Sequence, residues 1–455
     1  MSSKARTFIT AFLRGLSDKL FTAGGKEELS PYVRYHRSRP QGGTLSVTDL
    51  TGPLWCEVQF DYGLRKKHSK NGPDDSGPVT ITTATSKTIF VDQEVVAVKE
   101  RVMRRGRSVH KALEREIHPR VDRVKTATEE ERWALRLVNL ISSMLSLLDT
   151  GRCREMQVFG VYDAQLIVGI IDEVERKSHP EGLSRESLVE KSQSKRFKLH
   201  LSDTKTRQRH TLPPVDDMFP GQMQLMLYHK LVKDLLVTDF RPFWRDMGLD
   251  LNRPLSQQFS DSAGLSTLLP GARKLDSLND LWLAWRDVVD MLDVVDVDVT
   301  LTVVYRTRPR RRTDKKLDIR EHETSVDPER GTTVEDFLSG FPEKEFRFTN
   351  SWRDWNNTDS RINVSQPAEE EIKEDSNTEE LSEEGHLGEL AKSTVIGKET
   401  FQMDTRKLDT HLKSILDWWH GRRPPKGVEP PLMRRCGSCE YREGCEWLEE
   451  QVVTQ

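Results

Sequence analysis

The segment LSDTKTR, Leu201 to Arg207, places a carboxylate and an amine two residues apart at the end of an alternating apolar run. In a strand, residues two apart share a face, so Asp203 and Lys205 converge on one spot while Thr204 leaves its carbonyl at the same edge. An earlier apolar run, LIVGIID, ends in Asp172. If these two strands pair, the two carboxylates meet. Neighbouring carboxylates repel unless a cation sits between them, and the hard, oxygen-preferring ions Mg²⁺ and Mn²⁺ suit that place. Such an ion activates water and offsets charge on a phosphate under attack, while an adjacent lysine adds positive charge or orients the water. The chemistry this arrangement fits is phosphodiester hydrolysis. D-x-K alone is a common pair, more often a surface ion pair or a polar strand end; its place after two apolar strands singles it out.

Two helical patterns carry further candidates. In RGRSVHKALERE, His110 and Glu114 lie one turn apart on a face distinct from Val109 and Leu113, and Gly106 permits a close backbone approach. In QLMLY, Gln224 and Tyr228 stack one turn apart on the helix that follows the D-x-K strand. They are expected beside the site, holding a phosphate or a base; an ordinary helix edge would look the same. The tail RRCGSCEYREGCEW sets Cys436, Cys439 and Cys445 in a C-x2-C-x5-C array that needs a fourth ligand. Zinc and a [4Fe–4S] cluster both accept that spacing.

The elements that must position these residues follow from periodicity. Ser46–Leu50 starts a helix after a Ser/Thr cap, and helical spacing covers Arg105–Ile117, Glu131–Leu148, Gln222–Leu236 and Phe401–His420. Strands are expected at Met156–Tyr162, Leu166–Asp172, Phe197–Lys205 and Val297–Tyr305, with Arg176–Lys195 as a long loop or insertion. The order gives a mixed α/β core. The 455 residues divide into a leader over 1–44, a core over 45–350, an acidic insertion over 351–398 expected to be disordered, and a C-terminal helix with the cysteine segment over 399–455.

A formal net charge of −3 conceals segregation, since acid gathers at Glu369–Glu389 and base at Arg306–Lys316 and Arg422–Arg435. Without the acidic run the body is net positive, which suits a polyanionic partner. Five cysteines in this length make no disulfide scaffold and point to a reducing compartment. No apolar run is long enough to cross a bilayer, so no membrane partner is expected. The N-terminus has Lys4, Arg6 and Arg14 before its first acid, with Phe8, Phe12, Leu16 and Leu20 at helical spacing. That pattern fits a mitochondrial targeting helix, and equally an amphipathic leader; the alternative location is the nucleus.

Taken in order, LSVTDLTGPLWCEVQFDYGL, Gly106–His110, GIIDE, DTKTR, QLMLY and the cysteine array resemble the exonuclease V family, a eukaryotic branch of the RecB-like PD-(D/E)XK nucleases. The resemblance runs from Leu45 to Trp447, omitting the acidic insertion. It implies a PD-(D/E)XK core whose central mixed sheet is flanked by helices, with both chain ends joined at a [4Fe–4S] cluster on Cys56, Cys436, Cys439 and Cys445. Cys153 is then a spare, buried small hydrophobe. His110, Asp172 and Asp203 would bind Mg²⁺ or Mn²⁺, assisted by the Thr204 carbonyl, with Glu114 and Glu155 as supporting acids. Lys205 would be the motif lysine, and Gln224 and Tyr228 match the family's Q-x-x-x-Y. Many relatives carry Glu where this chain has Asp203.

The implied activity is exonucleolytic hydrolysis of single-stranded DNA in DNA maintenance or repair. The implied enzyme is a monomer, with a single-strand-binding protein as candidate partner. Arg207, Arg306, Arg308, Arg310–Arg312, Trp418, Trp419, Arg422 and Arg423 are candidates to line the strand's channel. The rival readings are a non-catalytic nucleic-acid-binding protein with a zinc-ribbon-like tail, and an RNA- or structure-specific endonuclease.

Overall fold

A computed structural model of the chain describes residues 20–23, 26–37, 43–66, 78–115, 124–179, 197–269, 274–307 and 393–453. The first nineteen residues, the loop over 180–196, Arg308, Arg310–Arg312 and nearly all of the acidic insertion lie outside them.

Eleven strands are present among the described residues: β1 (Leu20–Ala23), β2 (Lys26–Leu29), β3 (Thr44–Ser46), β4 (Thr80–Thr82), β5 (Thr88–Phe90), β6 (Arg152–Tyr162), β7 (Gln165–Ser178), β8 (Phe197–Arg207), β9 (Val294–Val297), β10 (Thr300–Thr307) and β11 (Val395–Gln402). Seven form one mixed sheet in the order β11-β10-β8-β7-β3, with β6 on the other side of β7 and β9 beside β8. β6, β7 and β8 form an antiparallel meander, whereas β10 runs parallel to β8 and β3 parallel to β7. The expected strands are present and longer than their apolar runs, because ladder pairing carries them into polar residues. The strand expected at Val297–Tyr305 is interrupted, giving β9 and β10.

The helix Glu129–Thr150 packs on β6. Thr128 caps it by accepting from the Glu131 N–H, three acids fill the first turn, and Gly151 at φ +72° ends it by donating to the Leu147 carbonyl. A helix over Leu278–Met291 lies against it. Trp133, Trp244, Trp282 and Trp285 are fully buried there, with edge-on or tilted ring contacts from Trp133 to Trp244 and from Trp244 to Trp282.

The chain's two ends close on each other. The helix Pro31–Arg37, inside the expected leader, buries Tyr32 and Tyr35 in the main core. Trp419 donates to the Asp49 carbonyl at 3.1 Å and packs edge-on against Tyr35 and Phe60. The last four residues of the expected insertion form part of β11, which pairs antiparallel with β10. The helix expected from Phe401 starts at Thr405, capped by Asp404. Residues 395–419 therefore belong to the core, not to a separate tail. Among the described residues no helix is long and apolar enough to cross a membrane.

Candidate active site and cysteine centre

Along β8, Leu199, Leu201, Asp203, Lys205 and Arg207 are buried in alternation, so the strand's core face turns from apolar to charged as it proceeds. The Lys205 Nζ lies 2.8 Å from Asp203 Oδ2 and donates to Gln224 Oε1 at 2.8 Å. With Asp203 wholly buried and Lys205 5% exposed, the carboxylate offsets the desolvation of the ammonium. Asp203 Oδ1 accepts no hydrogen bond among the described residues. A buried carboxylate oxygen without a donor asks for a cation or water.

The β7–β8 ladder ends at Glu173 opposite Ser202; one further residue in that register puts Asp172 opposite Asp203. Beyond this point β7 pairs with β3 and β8 with β10, so the sheet splits at the two acids. Asp172 spans the split by accepting the Thr204 N–H on Oδ2 at 2.8 Å. The split leaves the two carboxylates where a continuous β7–β8 ladder would otherwise run.

His110, on the helix Gln93–Arg115, approaches this point. Its Nδ1 lies 3.6 Å from Asp172 Oδ2 and 3.8 Å from Glu155 Oε1. These three side chains each offer one ligand atom, and the atoms all lie within 4.8 Å of one another, a set able to hold a metal ion. Asp203 stands next to this set, engaged by Lys205. Glu155 occupies the centre of β6 between the Arg154–Glu173 and Met156–Ile171 pairs, opposite Asp172, yet has φ +50°. A non-glycine residue in the left-handed region costs roughly 1–2 kcal/mol, and such strain gathers at functional sites. Here it accompanies a carboxylate directed at His110 and Asp172. The side chain of Glu114 lies outside the described residues.

Gln224 and Tyr228 sit on the helix Val215–Val237, 0% and 2% exposed. Gln224 Nε2 donates to the Tyr228 hydroxyl at 3.2 Å while its Oε1 accepts from Lys205. The pair therefore orients the ammonium, a role beside the expected contact with phosphate or base. Gly169 makes this packing possible, because a Cβ there would lie 2.6 Å from Tyr228 Cε1 and 2.8 Å from a Val47 methyl. Arg207 is buried on the same face of β8.

Cys56, Cys436, Cys439 and Cys445 line one small apolar cavity with Trp55, Tyr62 and Trp447. Burial pushes the Cys56 thiol up to about 12, with Cys445 and Cys436 adding to the rise, and burial raises the other three as well. Thiolates are disfavoured in such a cavity unless a cationic centre compensates them. Cys153 is fully buried in the main core, away from this cavity.

The sequence matches the family model for exonuclease V, described as a 5′ deoxyribonuclease, over residues 93–448. The chain belongs to the exonuclease V family. It is similar to exonuclease V of Danio rerio, 29% identical over 226 residues that cover 50% of this chain and 44% of that protein. The match thus spans less than half the length of that relative.

Among the expected channel residues, Trp418 and Trp419 are corrected to core aromatics. Both are 0% exposed and pack on Phe60, so no base can stack on them. Arg422 pairs with Asp417, Arg423 with Glu57, and Arg306 donates to the Ser393 carbonyl. Sequence reading placed Arg435 only in a basic run and started the helix at Gln222; the observed helix begins at Val215 and takes in Pro220, whose missing N–H leaves the Asp216 carbonyl to Arg435.

Proposed function

We propose that this chain is a divalent-metal-dependent 5′ exodeoxyribonuclease for single-stranded DNA, acting as a monomer in DNA maintenance or repair. The observation that carries the reading is the sheet split at Asp172 and Asp203 with the Lys205 ammonium fixed beside it. The family description, a 5′ deoxyribonuclease, supports polarity and substrate. The antiparallel meander β6–β8 and the parallel pairing of β10 with β8 support a PD-(D/E)XK core.

The residues present fit a divalent ion: His110, Glu155 and Asp172 would hold it, with the donorless Asp203 Oδ1 alongside. Bound there, Mg²⁺ or Mn²⁺ supplies Lewis-acid stabilisation of charge on the scissile phosphate. Lys205 places its ammonium where negative charge grows, and Gln224 with Tyr228 keeps it there. Asp172 and Glu155 are placed to orient the water that attacks phosphorus.

Burial of this site favours a single strand. Asp172, Asp203 and Lys205 are all 5% exposed or less, which suits a flexible single strand better than a rigid duplex. The four cysteines converge on one cavity and fit a [4Fe–4S] cluster, the centre that the family resemblance implies, with zinc as the alternative that absorbance would exclude.

Purified chain with Mg²⁺ is expected to shorten 5′-labelled linear single-stranded DNA, and to leave circular single strands, duplex and RNA of the same sequence intact. Equal cutting of the circle would replace the exonuclease reading with an endonuclease; absence of any cutting alongside tight binding would favour a non-catalytic nucleic-acid-binding protein.

A further inference from the structure

Arg435, one residue before the first cysteine of the array, is 3% exposed and reaches in two directions. Toward the chain's first cysteine, its Nη1 donates to the carbonyls of Leu54 and Trp55 at 3.4 and 3.3 Å, and its guanidinium lies 4.0 Å over the Trp55 ring. Toward the helix Val215–Val237, its Nη2 donates to the Asp216 carbonyl at 3.1 Å and to Asp217 Oδ1 at 3.0 Å. Arg434 reaches the same Asp217 oxygen at 3.1 Å.

The Asp216 contact has a cause inside the helix. An α-helical carbonyl accepts from the N–H four residues on, and for Asp216 that residue is Pro220, which has none. Arg435 supplies the missing donor from another part of the chain. One turn after Pro220 comes Gln224, the residue that accepts from Lys205. The other site helix is held in the same way, since Glu440 beside Cys439 pairs with buried Lys99, and its carbonyl accepts the Asp92 N–H at the start of the His110 helix.

We propose that Arg435 is a positioning residue that couples the cysteine segment to the catalytic lysine, by filling the helical acceptor that Pro220 leaves open. The first turns of the helix then depend on the cysteine segment being in place, and Gln224 inherits that dependence. Disordering the cysteine segment withdraws Arg435, loosens residues 215–224 and lets the Lys205 ammonium move off its position. The inference rests on the nuclease reading above for its catalytic consequence, and on geometry alone for the coupling.

The test exploits the proline. Pro220→Ala restores an N–H to the helix, so it should make Arg435 dispensable there. In the cluster-loaded chain with Mg²⁺ and linear single-stranded DNA, Arg435→Gln is expected to lower kcat about tenfold with little change in KM, a hydrogen bond to a charged group being worth about one order of magnitude. It should also speed amide exchange over residues 219–226. In the Pro220→Ala background the same substitution should lower kcat less than about threefold and leave exchange nearly unchanged. Asp217→Asn, which weakens the charged contact but leaves Arg435 donating to the Asp216 carbonyl, should show a smaller loss of the same kind. Equal losses in both backgrounds, or none in either, would overturn the coupling. If the parent chain cleaves nothing, the nuclease reading fails while the exchange measurement still decides the coupling.

Discussion

The acid–lysine site and the cysteine cavity are built by opposite means. The first is cut into the main core, where a long mixed sheet and the tryptophan-rich helix layer surround it. Its polar groups hold one another: Lys205 has Asp203 and Gln224, Gln224 has Tyr228, and Asp172 has the Thr204 N–H. The second rests on a small satellite cluster of Val58, Tyr62, Ile81, Ile89, Val91, Tyr441 and Cys445. Its thiols are pushed up by burial even though backbone N–H groups such as that of Gln59 reach them. A site preorganised by protein keeps its geometry when a ligand leaves, whereas one lined by buried thiols owes more of its order to what binds there. Variants in the two regions should therefore fail differently.

The largest effect is expected at the lysine. Lys205→Met should reduce the cleavage rate by about 10²–10³-fold, the range found when one preorganised charge-stabilising donor is removed. DNA binding and absorbance near 400 nm should stay close to those of the parent, while the melting temperature falls by several degrees because buried Asp203 loses its partner. Cleavage near the parental rate despite that fall would mean that the lysine is structural only. At the cysteines the pattern should reverse: Cys439→Ser should bleach the chain and destabilise it, by several degrees in Tm for a loss of a few kcal/mol. A colourless chain as stable as the parent, loaded with zinc, would remove the cluster from the account.

Gly169→Ala sharpens the comparison from within the core. Its Cβ would collide with Tyr228 and Val47, and overpacking of this kind costs about 1–3 kcal/mol. The expected readout is a lower kcat from displaced Tyr228 and Gln224, with cluster absorbance unchanged. The smallest effect concerns the closure of the chain ends. Burial lowers His420 from 6.5 to about 4, and its ring lies against Tyr32. A histidine with a depressed folded value stabilises the fold above pH 6.5, and that contribution is lost as pH falls toward 4. A His420→Asn chain should show a shallower decline of Tm over that window; an identical decline would assign it to other groups.

How much of this was readable beforehand differs by residue. Asp203 and Lys205 were legible because a strand's two-residue period is strict, and Asp172 because an apolar run ends on it. Glu155 received only a minor place, since nothing in GRCREMQ announces a left-handed backbone inside a strand. Trp418 and Trp419 were assigned to a nucleic-acid channel because an aromatic beside arginines looks the same whether it stacks on a base or on Phe60; only the tertiary contact decides. β11 was hidden behind the acidic tract, as an edge strand draws its order from β10 rather than from its own alternation. The helix Leu278–Met291 went unmarked although Leu278, Leu281, Trp282, Trp285, Val288 and Val289 keep a helical period. Arg435 belongs to a different case, where the demand sits at Pro220 and the answer some two hundred residues later.

The most direct measurement is single-turnover cleavage of a 5′-labelled single strand in Mg²⁺ by the parent chain and by Asp172→Asn, with binding followed in parallel. Rapid shortening is expected from the parent, none above background from the variant, and comparable affinity for DNA from both. Cleavage by Asp172→Asn at the parental rate would contradict a catalytic role for Asp172.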